Sequence, residues 1–350
     1  MAQAGKTLTV VVPTYNMERY LRRCLDSLVV GDEMMRRLEV LVINDGSKDS
    51  SSAIAHEYQE RWPQTFRVID KENGNYGSCV NRGLREATGK YIRILDADDW
   101  YDTANLNVFI GKLGEIDADL VITDYVIVNP EGRIMGGSKF SFPPGEPMLY
   151  DDWKDNRLFK TLQMHVVTYK TRNLVDIGYR QMEGISYTDQ EWMFLPMTTV
   201  NKAYYLGIVI YNYLVGREGQ TVDSAVMKRG ISHTVKGAFV MFDIISRSPH
   251  AKRIDYLVER ACKRIAGIYL RTLTGNGGLD NDELIELDRQ VKDKCPAVWN
   301  ALSAEPVNRR YGFKFIAWWR HNGHRQLPSG VMLRLKVIYT LADIRRRLRL

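Results

Sequence analysis

The first 130 residues switch repeatedly between a period of two and a period of 3.6, and this limits the available folds more than any other feature. "TLTVVVP" (7–13), "LEVLVIND" (38–45), "TFRVID" (65–70) and "KYIRIL" (90–95) are short apolar runs. Between them lie three helical patterns. "MERYLRRCLDSLV" (17–29) places Leu21, Leu25 and Leu28 at helical spacing, "DSSSAIAHEYQERW" (49–62) opens on Asp49 as a cap, and "YGSCVNRGLREA" (76–87) follows the third strand. A further helix is expected over about 105–114 and a strand over about 119–128. Strands alternating with helices of this length imply βαβ crossovers. The expected fold is α/β: a mostly parallel twisted sheet flanked by helices, Rossmann-like, with its strands buried on both faces.

Ligands of such sheets bind beyond the carboxyl ends of the strands. "PTYN" follows the first strand, "NDGS" the second, "DKENGNYG" the third and "DADD" the fourth, so four polar clusters fall on one edge. Asp45 can accept hydrogen bonds from a base or ribose, or merely shape the turn at Gly46. Tyr15 can stack on a base, while Asn16 can cap a helix. Gly74 and Gly77 precede a helix and let backbone N–H groups approach phosphate. The chain has neither the P-loop pattern nor G-x-G-x-x-G after the first strand, which disfavours those nucleotide folds.

"YIRILDADDW" (91–100) carries the strongest signal. Asp96, Asp98 and Asp99 end a core strand. Two such charges ~4 Å apart, at an effective dielectric of about 20, repel by roughly 4 kcal/mol. Asp96 and Asp98 face the same way if the backbone stays extended. Carboxylate oxygens are what Mg2+ or Mn2+ prefers, with substrate phosphates completing the shell. A divalent cation turns that repulsion into shared attraction. An exposed acidic turn is the plain alternative.

Taken together, "VVPTYN", "LVINDGSKDSS" and "KENGNYGSCVNRGLREATGKYIRILDADDW" resemble family 2 glycosyltransferases with the A-type nucleotide-sugar fold, of the kind that builds bacterial polysaccharides. The shorter "YTDQEW" and "GREGQTVD" extend the likeness. The resemblance implies an inverting enzyme that moves a sugar from a nucleotide-diphosphate donor, a UDP-sugar, to a hydroxyl of a glycan or lipid-linked glycan. It implies that Pro13, Tyr15 and Asp45 hold the base, that Asp96 lies near the ribose, and that Asp98 binds Mn2+ or Mg2+ with Asp99 facing the sugar. Asp189 takes the role of base, with Glu191 as rival because Thr188 stands where relatives carry glutamate. Arg217 and Gln220 match positions that face the diphosphate, and His233 could complete the metal shell. The acceptor hydroxyl loses its proton as it attacks, so the base should lie within ~3 Å of it.

The chain has 350 residues, 26% of them charged, and a formal net charge of +7. That balance favours anionic partners such as nucleotide phosphates or an acidic membrane surface, or simply serves solubility. A nucleic-acid-binding protein is a competing reading, but no interleaved aromatic–basic motif supports it, and no nucleic acid is expected. A catalytically silent nucleotide-sugar-binding regulator is a second alternative. The cysteines, Cys24, Cys79, Cys262 and Cys295, form no C-x-x-C pair, so reduced thiols and a cytoplasmic protein are expected. No secretory signal and no run of ~18 apolar residues is present. Residues 1–225 are expected to be the catalytic nucleotide-sugar-binding and acceptor domain, and 226–350 a helical extension. In 331–350, Val331, Leu335, Ile338, Ala342 and Leu348 share a helical face beside Arg345, Arg346, Arg347 and Arg349. Such a face suits peripheral contact with the cytoplasmic membrane surface, packing on the catalytic domain, or a homo-oligomer.

Overall fold

The computed structural model describes residues 5–153, 159–185, 188–217, 230–247, 252–275, 278–304, 313–334 and 337. The chain divides into two units, Met1–Arg217 and Glu218–Leu350. The boundary expected at 225/226 lies outside the described residues.

The first unit begins with the expected alternation. It runs β1 (Leu8–Thr14), α1 (Glu18–Asp26), α2 (Asp32–Arg37), β2 (Leu38–Asn44), α3 (Ser51–Arg61), β3 (Phe66–Asp70), α4 (Asn75–Glu86) and β4 (Tyr91–Ile94). Next come β5 (Trp100–Tyr101), α5 (Thr103–Leu113), β6 (Leu120–Val128), β7 (Ile134–Ser138), β8 (Pro147–Leu149) and α6 (Tyr150–Trp153). The unit ends with β9 (Val167–Lys170), α7 (Thr171–Asp176), α8 (Asp189–Trp192) and β10 (Lys202–Leu214).

The sheet runs β3-β2-β1-β4-β9-β6-β10-β5, with β7 on β6 and β8 on β10. Its first four strands are mutually parallel, as the crossovers require. The rest is mixed: β9 inserts antiparallel between β4 and β6, and β10 runs parallel to β6 but antiparallel to β5 and β8. No helical crossover pattern precedes β9 or β10 in the sequence, so the parallel rule has no purchase there. Met164–Val166 form a 3-10 turn directly before β9 starts.

Every residue of β1, β2 and β4 is buried, which explains why these strands read as unbroken apolar runs. Helix α4 lies so close to β1 that a Cβ on Gly83 would stand 2.4 Å from Cγ1 of Val11. The two caps expected near the edge differ in detail. Met17, not Asn16, is the N-cap residue of α1, and Asn16 Oδ1 instead accepts from Lys48 N at 2.8 Å. Ser50 takes the N-cap position of α3, while the Asp49 carboxylate accepts from Ser51 N and Glu18 N, both at 3.0 Å. These bonds stitch the β1 loop to the β2 loop.

The second unit is helical where described: α9 (Ile231–Arg247), α10 (Ile254–Leu273), α11 (Asn281–Lys294), α12 (Pro296–Ala304) and α13 (Phe315–His321). Its core holds a buried pair in which the Arg320 guanidinium grips both oxygens of Asp288. Among the described residues no helix is long and apolar enough to cross a membrane. Of the expected carboxyl-terminal apolar face, Val331 is described and half-buried; Leu335, Ile338, Ala342 and Leu348, with the four arginines, lie outside the described residues. All four cysteines are buried free thiols.

The Gly83 contact yields a test. Gly83→Ala should destabilise the protein by about 1–3 kcal/mol through overpacking against Val11. Urea unfolding measures this, and an unchanged midpoint and slope would show that α4 can move off the sheet freely.

Candidate functional site

The parallel strands β1, β2, β3 and β4 deliver their carboxyl ends to one edge, and the sequence-predicted residues gather there. Pro13 is buried within β1, opposite Ile43. Tyr15 follows it and is 46% exposed, which leaves its ring available for stacking. Gly46, at φ 74°, turns the chain sharply after β2.

Asp45 is only 3% exposed, and its partners hold it rigidly. Its N–H donates to Thr14 O at 2.8 Å, and its carbonyl accepts from Asn73 Nδ2 at 2.9 Å. Oδ1 accepts from Gly74 N at 2.9 Å and pairs with the Lys71 ammonium. Lys71 also donates to Ser78 Oγ at 2.8 Å. Sequence reasoning passed over this lysine. The signal was present in "DKENG", a cation directly after a strand that ends beside an aspartate.

The acidic turn after β4 is held by groups distant in sequence. Asp96 Oδ1 accepts from the Tyr76 hydroxyl at 2.8 Å, and the Asp96 N–H donates to the Tyr211 hydroxyl at 3.3 Å. Tyr211 in turn donates to Asp99 Oδ2 at 2.6 Å, and Leu214 N donates to Asp99 Oδ1 at 2.7 Å. Asp99 is fully buried with both oxygens engaged. Its carboxylate thus helps fasten the turn. Asp98 is different: its Oδ2 accepts from Arg217 Nε at 2.6 Å. Arg217 therefore reaches the acidic turn, with its guanidinium also 5.3 Å from the Tyr20 ring centroid.

Beneath the turn lies His165, which the sequence analysis did not single out. Its ring stacks on Tyr213 at 4.4 Å and leans on Tyr211 at 4.8 Å. Burial, helped by the nearby Arg93, pushes its pKa down to about 3, so the imidazole is neutral. The Arg93 guanidinium, itself fully buried, donates to His165 O at 2.6 Å. Among the described residues, Asp96, Asp99 and His165 are the histidine and acidic groups whose ligand atoms lie within 4.8 Å of one another.

The chemistry of this set fits a divalent cation. Burial first, and then the charge of Asp98, push Asp96 up to about 7, and the same two causes push Asp99 well above the usual carboxylate range. The turn is therefore short of positive charge, with carboxylate oxygens and a neutral imidazole beside it.

Asp189 and Glu191 share the short helix α8 but differ in placement. Asp189 is half-buried and accepts from Gln190 Nε2 at 2.9 Å. Its charge contributes to raising both Asp96 and Tyr76, which sets it beside the acidic turn. Glu191 is buried, and its Oε2 accepts from Met182 N at 2.8 Å. Gln220 lies outside the described residues. His233 sits near the start of α9, in the second unit.

Comparison with known proteins agrees with this architecture. Structures of Staphylococcus aureus TarS residues 1–349 share the fold. The form in complex with UDP superposes with a TM-score of 0.61 at 21% identity, covering 83% of this chain and 81% of that one. The form in complex with UDP-GlcNAc gives 0.55 at 17% identity. The class is thus the A-type nucleotide-sugar transferase fold. Residues 9–177 match the family described as Glycosyl transferase family 2. Among curated relatives it is 38% identical over 223 residues to the uncharacterized glycosyltransferase YibD of Escherichia coli, covering 61% of this chain and 62% of that protein. It is 29% identical over 220 residues to the glycosyltransferase GlyA of Streptococcus pneumoniae, covering 59% of this chain. The matched stretches span only 30%, 33% and 42% of the first three curated relatives.

The raised Asp96 makes stability depend on pH. The folded protein keeps a proton on Asp96 up to about 7, whereas an unfolded aspartate releases it near ~4. The native state therefore binds more protons between these values, and stability should fall as pH rises through that window. Thermal melts in chelator from pH 5 to pH 8 should show the fall, and Asp96→Asn should flatten it. Equal slopes in the two proteins would refute the assignment.

Proposed function

We propose that the chain is an inverting glycosyltransferase. It moves a sugar from a nucleoside-diphosphate donor, with uracil as the base, to a hydroxyl of a glycan or lipid-linked glycan acceptor. The observation that carries this reading is the meeting of two charge systems at one sheet edge: the acidic turn of Asp96, Asp98 and Asp99, and the separate carboxylate of Asp189 whose charge is felt there. The shared fold of TarS, which binds UDP and UDP-GlcNAc, supports the choice of a UDP-sugar.

In this reading Tyr15 stacks on the base over Pro13, and Asp45, fixed by Lys71 and Gly74, accepts from its imide N–H. Asp96 accepts from the ribose, while Tyr76 holds its other side. Asp98 would hold Mn2+ or Mg2+, beside Asp96, Asp99 and His165, whose ligand atoms lie within 4.8 Å of one another. The cation supplies positive charge to the departing diphosphate. Arg217 adds charge-assisted hydrogen bonds to the same phosphates.

Asp189 takes the acceptor proton during attack. The reaction is a single displacement at the anomeric carbon, with inversion, and no covalent nucleophile is required. Glu191 is buried with its Oε2 held by the Met182 N–H, and in this reading it serves the fold of the segment.

Release of UDP from a panel of nucleotide sugars, with saccharide acceptors and Mn2+, tests these roles. Asp98→Asn should abolish turnover and weaken Mn2+-dependent UDP binding. Asp189→Asn should lower turnover by about 10²–10⁴-fold while leaving UDP affinity intact. A fully active Asp189→Asn enzyme would remove Asp189 from the role of base. Glu191→Gln should lose thermal stability yet retain far more turnover than Asp189→Asn.

A further inference from the structure

We infer that Arg217 is an internal cation that competes with the divalent metal for Asp98, and that the donor diphosphate relieves this competition by drawing Arg217 away. The inference rests on the reading of Asp98 as a metal-holding carboxylate.

The three aspartates of the turn are compensated differently. Asp96 and Asp99 take neutral donors, namely the hydroxyls of Tyr76 and Tyr211 and the N–H of Leu214. Among the described residues, only Asp98 of the three pairs its side chain with a full positive charge, at 2.6 Å from Arg217 Nε. The two side chains are only 11% and 15% exposed, so water screens the pair weakly. Among the described residues no hydrogen bond reaches the other oxygen, Oδ1. The pair is therefore built on the same carboxylate that the metal reading requires, and Nε of Arg217 occupies one of its two oxygens.

The surroundings keep Arg217 in reach without fixing it to a second carboxylate in the turn. Its guanidinium lies 5.3 Å from the Tyr20 ring centroid, on α1. Arg23, also on α1, stacks 3.7 Å over Trp100 and donates to the Asp98 carbonyl at 3.2 Å. Arg23 thus holds the main chain of Asp98 while Arg217 holds the side chain. Arg217 stands three residues beyond the end of β10, just after Gly216, whose φ of 101° only glycine adopts readily. Backbone rotation at that glycine would carry the arginine from Asp98 toward an arriving phosphate.

A diphosphate offers a guanidinium more negative charge and a bidentate geometry that one carboxylate oxygen lacks. Once Arg217 transfers, the Asp98 carboxylate loses its direct ion pair and its affinity for a divalent cation rises. By reciprocity the cation raises affinity for the diphosphate by the same factor. Metal and donor should therefore bind together, and the nucleotide-free protein should hold metal poorly.

Mn2+ titration of the nucleotide-free protein, followed by electron paramagnetic resonance, tests this without a donor sugar or an acceptor. Arg217→Gln should bind Mn2+ at least ~10-fold more tightly than the wild type. Arg217→Lys, which keeps the charge, should stay close to wild type. Asp98→Asn combined with Arg217→Gln should lose the gain. UDP should raise Mn2+ affinity of the wild type more than that of Arg217→Gln. A thermal melt of each variant verifies that it is folded. The competition is overturned if Arg217→Gln binds no tighter than wild type, or if the gain survives Asp98→Asn. If wild type then binds Mn2+ with UDP in an Asp98-dependent way, only the competition has failed. If no form binds Mn2+ with or without UDP, the metal reading of Asp98 fails and takes the competition with it.

Discussion

The site depends on one demand: three carboxylates must coexist at the end of a buried strand. Left alone, they would repel one another at a cost comparable to much of a domain's net stability. The protein meets this demand with several separate devices. Tyr76 and Tyr211 supply hydroxyls, Leu214 supplies an N–H, and Arg217 supplies a charge. Arg93 places a second guanidinium below the turn, fully buried between the His165 carbonyl and the rings of Tyr101 and Phe109. Its Nε and Nη1 have no hydrogen-bond partner among the described residues. A buried cation so poorly satisfied is costly on its own. The ring faces of Tyr101 and Phe109, 5.0 Å and 5.5 Å from its guanidinium carbon, offset part of that cost.

These devices come mostly from the second half of the sheet. β10 runs thirteen residues and carries Tyr211, Tyr213 and Leu214 into the turn before delivering Arg217. Its antiparallel pairing with β5 sets Tyr211 opposite Tyr101, immediately after the aspartates. β9 enters antiparallel between β4 and β6, directly after the 3-10 turn that holds His165. The parallel half of the sheet thus presents the loops of the candidate site, and the mixed half buttresses them. Overpacking or register shifts in β10 would therefore act on the acidic turn, to which β10 contributes the hydrogen bonds of Tyr211 and Leu214.

The parallel half was legible because its information is local. "TVVVP", "VLVI" and "YIRIL" are apolar runs, each with a turn signal behind it, and their order alone places "PTYN", "NDGS" and "DADD" on one edge. The buttressing was not legible, because its partners lie 72 to 119 residues apart and no periodicity encodes such a pairing. "YIRIL" reads as an apolar strand, yet Arg93 within it is a fully buried guanidinium. "MHVVTYK" reads as a strand, yet its first three residues form a turn and its histidine joins the cluster. Asp99 illustrates the same limit from the other side. Its neighbours suggest a ligand contact, and only the long-range hydrogen bonds of Tyr211 and Leu214 reveal a structural anchor.

The proposal of Asp189 rather than Glu191 as the base draws on helix geometry. Residues two apart on a helix point about 200° apart, so both acids of a four-residue helix cannot serve the same face. Trp192 is fully buried, stacked edge-on against Tyr169 and Tyr179, and it fixes which side of α8 faces the core. Glu191, its neighbour, is buried with it and is neutralised in part by the Met182 N–H. Asp189 is thereby turned out of the core while its charge is still felt by Asp96, Tyr76 and Tyr213. A base must reach an acceptor from solvent and still sit in the field of the donor site. On this helix only the first acid meets both conditions, so the absence of a glutamate at position 188 removes nothing that the proposed chemistry requires.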